Sequence, residues 1–131
     1  MDSVGDKKRF SIIARIKSVT HAARGIGILI KTSHNAWGHI FFGFLAIYLG
    51  FILNISNIEW VLIVLVIGLV IIAETFNTAI EIDINLTSPE YHPYARDTKD
   101  VAAAGVLLSV FVAVIVGFII FLPKILLYVK I

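Results

Sequence analysis

The chain has no cysteine among its 131 residues. That excludes disulfides and thiolate metal sites, and it leaves the redox compartment unreadable from thiols. Zinc-protease spacing is missing as well. The histidines at 21, 34, 39 and 92 form no HExxH, the pattern that sets two imidazoles and a general base on one helix. No GxxxxGK[ST] run offers a phosphate-cradling loop, so any nucleotide is held without a standard nucleotide fold. Charge is scarce, with 15% charged residues and a net of +2. The basic residues lie along apolar sequence, which is no nucleic-acid footprint. The N-terminus, "MDSVGDKKRF", lacks the apolar stretch and small-residue cleavage site of a signal peptide, so no cleavage is expected.

What fills the chain is oil. Hydrophobic residues make up 59% and mean hydropathy is +0.95, well above an average soluble domain. The length fits a single membrane domain over residues 1–131. Three stretches approach or reach the ~20 residues that cross a ~30 Å hydrocarbon core. They are 37–53, interrupted by His39, then 60–80, and 101–122, which has no charge. Lipid offers backbone groups no partners, so these spans are predicted helical. The segment 9–31 places Ile12, Ile16, Val19 and Ala23 on one stripe at helical spacing. Arg15, Lys17 and Arg24 fall largely off it, the pattern of an amphipathic helix lying in the membrane interface. Gly25 and Gly27 predict a weak point and a bend before Lys31. The predicted fold is an all-α membrane protein of three transmembrane helices plus an N-terminal amphipathic surface helix.

Lys7, Lys8, Arg9, Arg15, Lys17, Arg24 and Lys31 all precede the first span, whereas the linker "NISNIE" has no base. The positive-inside rule therefore predicts a cytoplasmic N-terminus and a cytoplasmic 82–100 loop, with Trp37 and Trp60 at opposite interfaces.

The second span ends in "AETFNTAIEIDIN" (73–85), directly after twelve residues without a polar side chain. A charge near mid-bilayer costs roughly 2.5–3.5 kcal/mol on insertion scales, so it usually marks function. Glu74, Asn77 and Glu81 stand at i, i+3 and i+7, within ~60° of one another on one helix face. The two carboxylates are ~10 Å apart along the axis, which suits one acid beside a reacting hydroxyl and the other beside a metal or phosphate. The plain alternative, a polar patch that glues helices together, is weaker for two acids and an amide than for one acid. The next segment, "SPEYHPYARDTKD" (88–100), adds Glu90, His92, Arg96, Asp97, Lys99 and Asp100. Acids beside lysine and arginine at a membrane boundary suit Mg²⁺ and phosphate, through hard oxygens and ammonium. A merely solvated loop is the bland reading of the same charges.

"AETFNTAIE" followed by "SPEYHPYARDTKDVAAAGVLL" resembles the small integral-membrane lipid kinases of bacteria, the prokaryotic diacylglycerol kinases and their undecaprenol kinase relatives. The resemblance covers about residues 20–122, and "SPEYHP…KDVAAAGVL" looks more like the undecaprenol kinase branch. It implies a homotrimer in the bacterial inner membrane, with active sites between subunits on the cytoplasmic side. It implies ATP as co-substrate, Mg²⁺ as cofactor and a membrane lipid alcohol, undecaprenol or diacylglycerol, as acceptor. Carried over by residue, Glu74 matches the catalytic carboxylate, Asn77 its polar neighbour, and Glu81 the Mg²⁺ and phosphate ligand. Glu90, His92, Lys99 and Asp100 match nucleotide-contacting positions. Four positions depart from the pattern: Ser33 replaces a metal-binding glutamate, Trp37 an arginine, His21 a tyrosine and Asn85 an aspartate. Fewer carboxylates imply weaker Mg²⁺ binding, with Ser33, Asn35 or water as stand-ins.

Two other classes share some of these features. A small proton-coupled transporter also uses intramembrane acids, but the loop of acids and lysine has no part in it. An oligomeric scaffold could use the small residues Ala102 to Gly105, which permit close helix contact in any of these readings. A divergent member with a disabled or redirected site is the remaining alternative within the family.

Overall fold

The structure is a computed structural model and describes residues 11–130. The predicted helix start at residue 9 and the basic Lys7, Lys8 and Arg9 lie outside the described residues. Four helices follow in order: α1 (Ile12–Thr32), α2 (His34–Ile52), α3 (Asn57–Thr87) and α4 (Pro93–Val129). Three of them, α2, α3 and α4, are long and apolar enough to cross a membrane.

Local chemistry sets where each helix begins and ends. Ser11 caps α1, its side chain accepting from the Ala14 N–H at 3.4 Å. α1 runs unbroken through Gly25 and Gly27, so the chain is not interrupted before Lys31. The break comes instead at Ser33, whose backbone is extended (φ −95, ψ 115). Ser33 closes α1 through its N–H to the Leu29 carbonyl, 2.9 Å, and opens α2 by accepting from the Ala36 N–H, 3.1 Å. A serine suits both tasks, because its hydroxyl satisfies an orphan donor at a helix start. After α2, Asn54 takes a left-handed φ of 46°, a conformation that asparagine tolerates better than most residues. Ser56 and Glu59 then form a reciprocal capping box that starts α3.

The predicted extents need correction. The span 37–53 ends one residue past α2, whereas 60–80 and 101–122 sit inside the longer α3 and α4, of 31 and 37 residues. At 1.5 Å per residue these measure ~46 and ~55 Å, longer than a ~30 Å hydrocarbon core. The predicted 82–100 loop is therefore mostly helix. Only residues 88–92 interrupt it, between the last turn of α3 and Pro93 at the first turn of α4. The cause is that charge marks the edge of the oil without breaking a helix, whereas Pro89 and Pro93 do end and start one.

α3 and α4 pack antiparallel along most of their length, and α2 packs on α3. The closest-packed apolar core lies toward the α2–α3 turn, where Ile55, Ile63, Ile120 and Phe121 are buried together. There Gly50 lets the Trp60 ring lie against the α2 backbone: a Cβ at Gly50 would fall 2.7 Å from Trp60 Cη2. Phe41, Phe42, Phe44, Phe51, Leu65 and Phe118 are each more than 60% exposed on the single chain. Such a surface belongs in lipid or against other chains. The stripe predicted on the first helix is likewise uncovered, with Ile12, Ile16 and Val19 at 69%, 62% and 69% exposure.

Candidate active site

Two stripes, one on α3 and one on α4, line three cavities in series. Near the turn, Asn85, Glu90, His92, Arg96 and Lys99 surround a pocket of about 260 Å³. Deeper, Glu74, Asn77 and Glu81 of α3 face Ala103, Val106 and Val110 of α4 across a cleft of about 520 Å³. Deeper still, Ile63, Ile67 and Val70 with Ala113, Gly117 and Phe121 form an apolar groove of about 280 Å³. The order along the bundle is thus polar turn, acid cleft, apolar groove. His39, on α2, borders both the cleft and the groove.

The structure brings Glu74, Asn77 and Glu81 onto one cleft, and it places Glu90, His92 and Lys99 in the neighbouring turn pocket. Asp100 is exposed and lines neither. His92 also caps α4, its Nδ1 accepting from the Tyr94 N–H at 3.3 Å. Lys99 Nζ donates to Asn85 Oδ1 at 2.6 Å, joining the ends of α3 and α4. This pairing links a position that departs from the family pattern to a predicted phosphate-holding lysine, and nothing in local spacing announces it.

Glu74 is 2% exposed, one of the two most deeply buried large side chains. Its Oε1 accepts from the Ser33 hydroxyl at 2.5 Å. Its Oε2 has no hydrogen-bond partner and lies 3.6 Å from His39 Nε2. Asn77 Nδ2 donates to Glu81 Oε1 at 3.1 Å, while Asn77 Oδ1 stays unpartnered. Among the described residues, the buried side-chain polar atoms lacking a partner are His39 Nε2, Glu74 Oε2, Asn77 Oδ1 and Thr78 Oγ1. Buried polar groups are nearly always paired, and one left unmade costs about 1–3 kcal/mol. All four belong to one short stretch of α3 and the α2 residue facing it, the signature of a place that awaits a polar ligand.

Ser33, expected as a doubtful metal ligand, is engaged otherwise: its proton goes to Glu74 and a lone pair to the Ala36 N–H. Among the described residues no three His, Asp or Glu side chains gather as a metal-holding group. The donors do fit a hydrated Mg²⁺ that arrives on phosphate, which keeps several waters and needs only one or two protein oxygens. Glu81 and the free Asn77 Oδ1 are such oxygens. Sequence reasoning missed two partners of Glu74, Ser33 at the α1–α2 break as a hydrogen-bond donor and His39 of α2 as a neighbour. Their only signal was that His39 interrupts an apolar span.

Three helices long and apolar enough to cross a membrane thus hold a buried carboxylate between a polar pocket and an apolar groove. Residues 20–121 match the family described as Prokaryotic diacylglycerol kinase, and the chain belongs to that family of lipid kinases. It is 39% identical over 108 residues to an undecaprenol kinase of Bacillus subtilis, covering 82% of this chain and 88% of the relative. It is 36% identical over 110 residues to a diacylglycerol kinase of Synechocystis sp., covering 83% of this chain and 63% of the relative. A diacylglycerol kinase of Escherichia coli matches at 37% over 71 residues, 54% of this chain and 58% of the relative.

Proposed function

We propose that the protein transfers the γ-phosphoryl group of Mg-ATP to the hydroxyl of a membrane lipid alcohol, undecaprenol or diacylglycerol. The observation that carries this reading is the buried, unpartnered Glu74 Oε2 where the acid cleft meets the apolar groove. A lipid hydroxyl is met at that depth, with its chain in apolar surroundings and the phosphate donor on the polar side.

In the reaction the alcohol oxygen forms a bond to the γ-phosphorus as the bond from phosphorus to the β–γ bridging oxygen breaks. ADP leaves, and the hydroxyl proton passes to Glu74. The Ser33 hydroxyl holds Glu74 Oε1 and so points Oε2 at the acceptor. Asn77 orients Glu81, and these two are the oxygen donors for Mg²⁺, which would neutralise phosphate charge when bound. Glu90, His92 and Lys99 of the turn pocket, with Asp100 beside it, contact the nucleotide. Phosphoryl transfer asks the protein mainly for positioning and charge stabilisation, and each of these groups does one or the other. The working form is a homotrimer in the bacterial inner membrane, with N-terminus and site on the cytoplasmic side and α1 lying in the interface. Three copies would also cover apolar surface that one chain leaves open.

The test is transfer of labelled phosphate from Mg-ATP in lipid micelles, with undecaprenol and diacylglycerol offered in parallel. Undecaprenol comes first, since the undecaprenol kinase of Bacillus subtilis is matched over 88% of its length. Transfer that is lost in Glu74→Gln is expected, and the ratio of products names the acceptor. Folded protein that transfers to neither lipid at high Mg²⁺ would overturn the reading and mark the site as redirected.

A further inference from the structure

His39 is a largely buried α2 side chain that the lipid-kinase reading leaves without a task. Its side chain is 19% exposed, and its Nε2 has no hydrogen-bond partner. That nitrogen faces the one free oxygen of Glu74 across 3.6 Å, too far for a hydrogen bond between them. Two buried polar atoms, each without a hydrogen bond and facing each other at ion-pair distance, can both be satisfied by a third polar atom. The same histidine borders both the apolar groove and the acid cleft, so it stands where an alcohol reaching up from the apolar side would present its oxygen.

Resting on the lipid-kinase reading, we infer that His39 is the second contact of the acceptor hydroxyl. The hydroxyl donates its proton toward Glu74 Oε2 and accepts a hydrogen bond from His39 Nε2–H. A hydroxyl has one donor and two acceptor lone pairs, so it satisfies both orphaned atoms and keeps a lone pair for phosphorus. Neither an ether nor an ester oxygen can do so, because each lacks the proton that Glu74 takes. Glu74 and His39 together thus select for a free hydroxyl at the end of an apolar chain, and His39 fixes the rotation of that hydroxyl relative to the base. With Oε1 of Glu74 already tied to Ser33, the arrangement leaves one oxygen and one imidazole to read the acceptor.

Two measurements test this. In the micelle assay, His39→Leu is expected to lower kcat/KM for the lipid alcohol about tenfold, the scale of one lost hydrogen bond. KM for ATP should change less than twofold. His39→Gln, which carries an N–H near the place of Nε2, should recover most of the loss. Equal damage from Leu and Gln, or an ATP KM that shifts together with the lipid KM, would show a packing role and overturn the inference. Unchanged kcat/KM in His39→Leu would overturn it as well. The second measurement needs no turnover. In ¹⁵N-histidine protein without ATP, adding undecaprenol or diacylglycerol should move the His39 imidazole resonance, assigned by its loss in His39→Gln. A resonance that ignores both alcohols refutes the contact even if the kinase is active. A resonance that moves in a protein without transfer supports the contact while the proposed reaction fails.

Discussion

Replacing Ser33 tests whether one hydroxyl both starts a helix and holds the buried acid. Ser33→Ala removes the cap on the Ala36 N–H, which costs about 1 kcal/mol at a typical N-cap. It also removes the donor to Glu74 Oε1. A hydrogen bond to a charged group contributes ~1.5–3 kcal/mol, and the acid is too buried for water to replace it freely. The two losses together predict ~2.5–4 kcal/mol. Ser33→Gly separates them, because glycine caps nearly as well as serine, within a few tenths of a kcal/mol. It should lose only the Glu74 contribution and stand about 1 kcal/mol above Ser33→Ala. The assay is reversible denaturant unfolding in detergent micelles, followed by helical circular dichroism. A double-mutant cycle with Glu74→Leu isolates the pair, and a coupling above ~1 kcal/mol is expected of groups in direct contact. Ser33→Ala within ~0.5 kcal/mol of the unsubstituted protein, or a coupling near zero, would refute the reasoning.

Two further substitutions probe contacts elsewhere. Gly50→Ala would press a methyl group to 2.7 Å from the Trp60 ring. Overpacking of ~1–3 kcal/mol then outweighs the ~1 kcal/mol gain in helix propensity, so net destabilisation is expected in the same unfolding assay. Gly68→Ala, with nothing within 4 Å of its added Cβ, is the stabilising control; if both variants gain stability, the close approach is not what holds α2 on α3. Asn85→Ala releases Lys99 from its 2.6 Å bond. KM for ATP should rise about fivefold, on the scale of one hydrogen bond, with KM for the lipid alcohol unchanged; a shift in the lipid KM alone would move Lys99 out of the nucleotide pocket.

Much of this protein is legible in its sequence. Hydropathy marked three apolar stretches because a run of about 20 apolar residues suits a hydrocarbon core whatever it packs against. Helical spacing set Glu74, Asn77 and Glu81 on one face because residues three, four and seven apart are neighbours on any helix. The structure then adds the Asn77–Glu81 bond within that face. Polarity predicts a loop over 82–100, yet α3 runs to Thr87 and α4 begins at Pro93. A helix that leaves the membrane continues in water until a residue such as Pro89 stops it.

Relations between helices lay beyond such reading. Ser33 meets Glu74 across 41 residues of sequence, and Lys99 meets Asn85 across 14. His39 faces the free oxygen of Glu74 from a different helix. Spacing within one helix says which side chains share a face, and hydropathy says which solvent that face prefers. Which helix it meets, and in what register, depends on shapes such as Trp60 against Gly50 and Ile67 against Gly43. Those shapes act through space, between residues far apart in the chain, and so the partners of the buried acid were settled by packing.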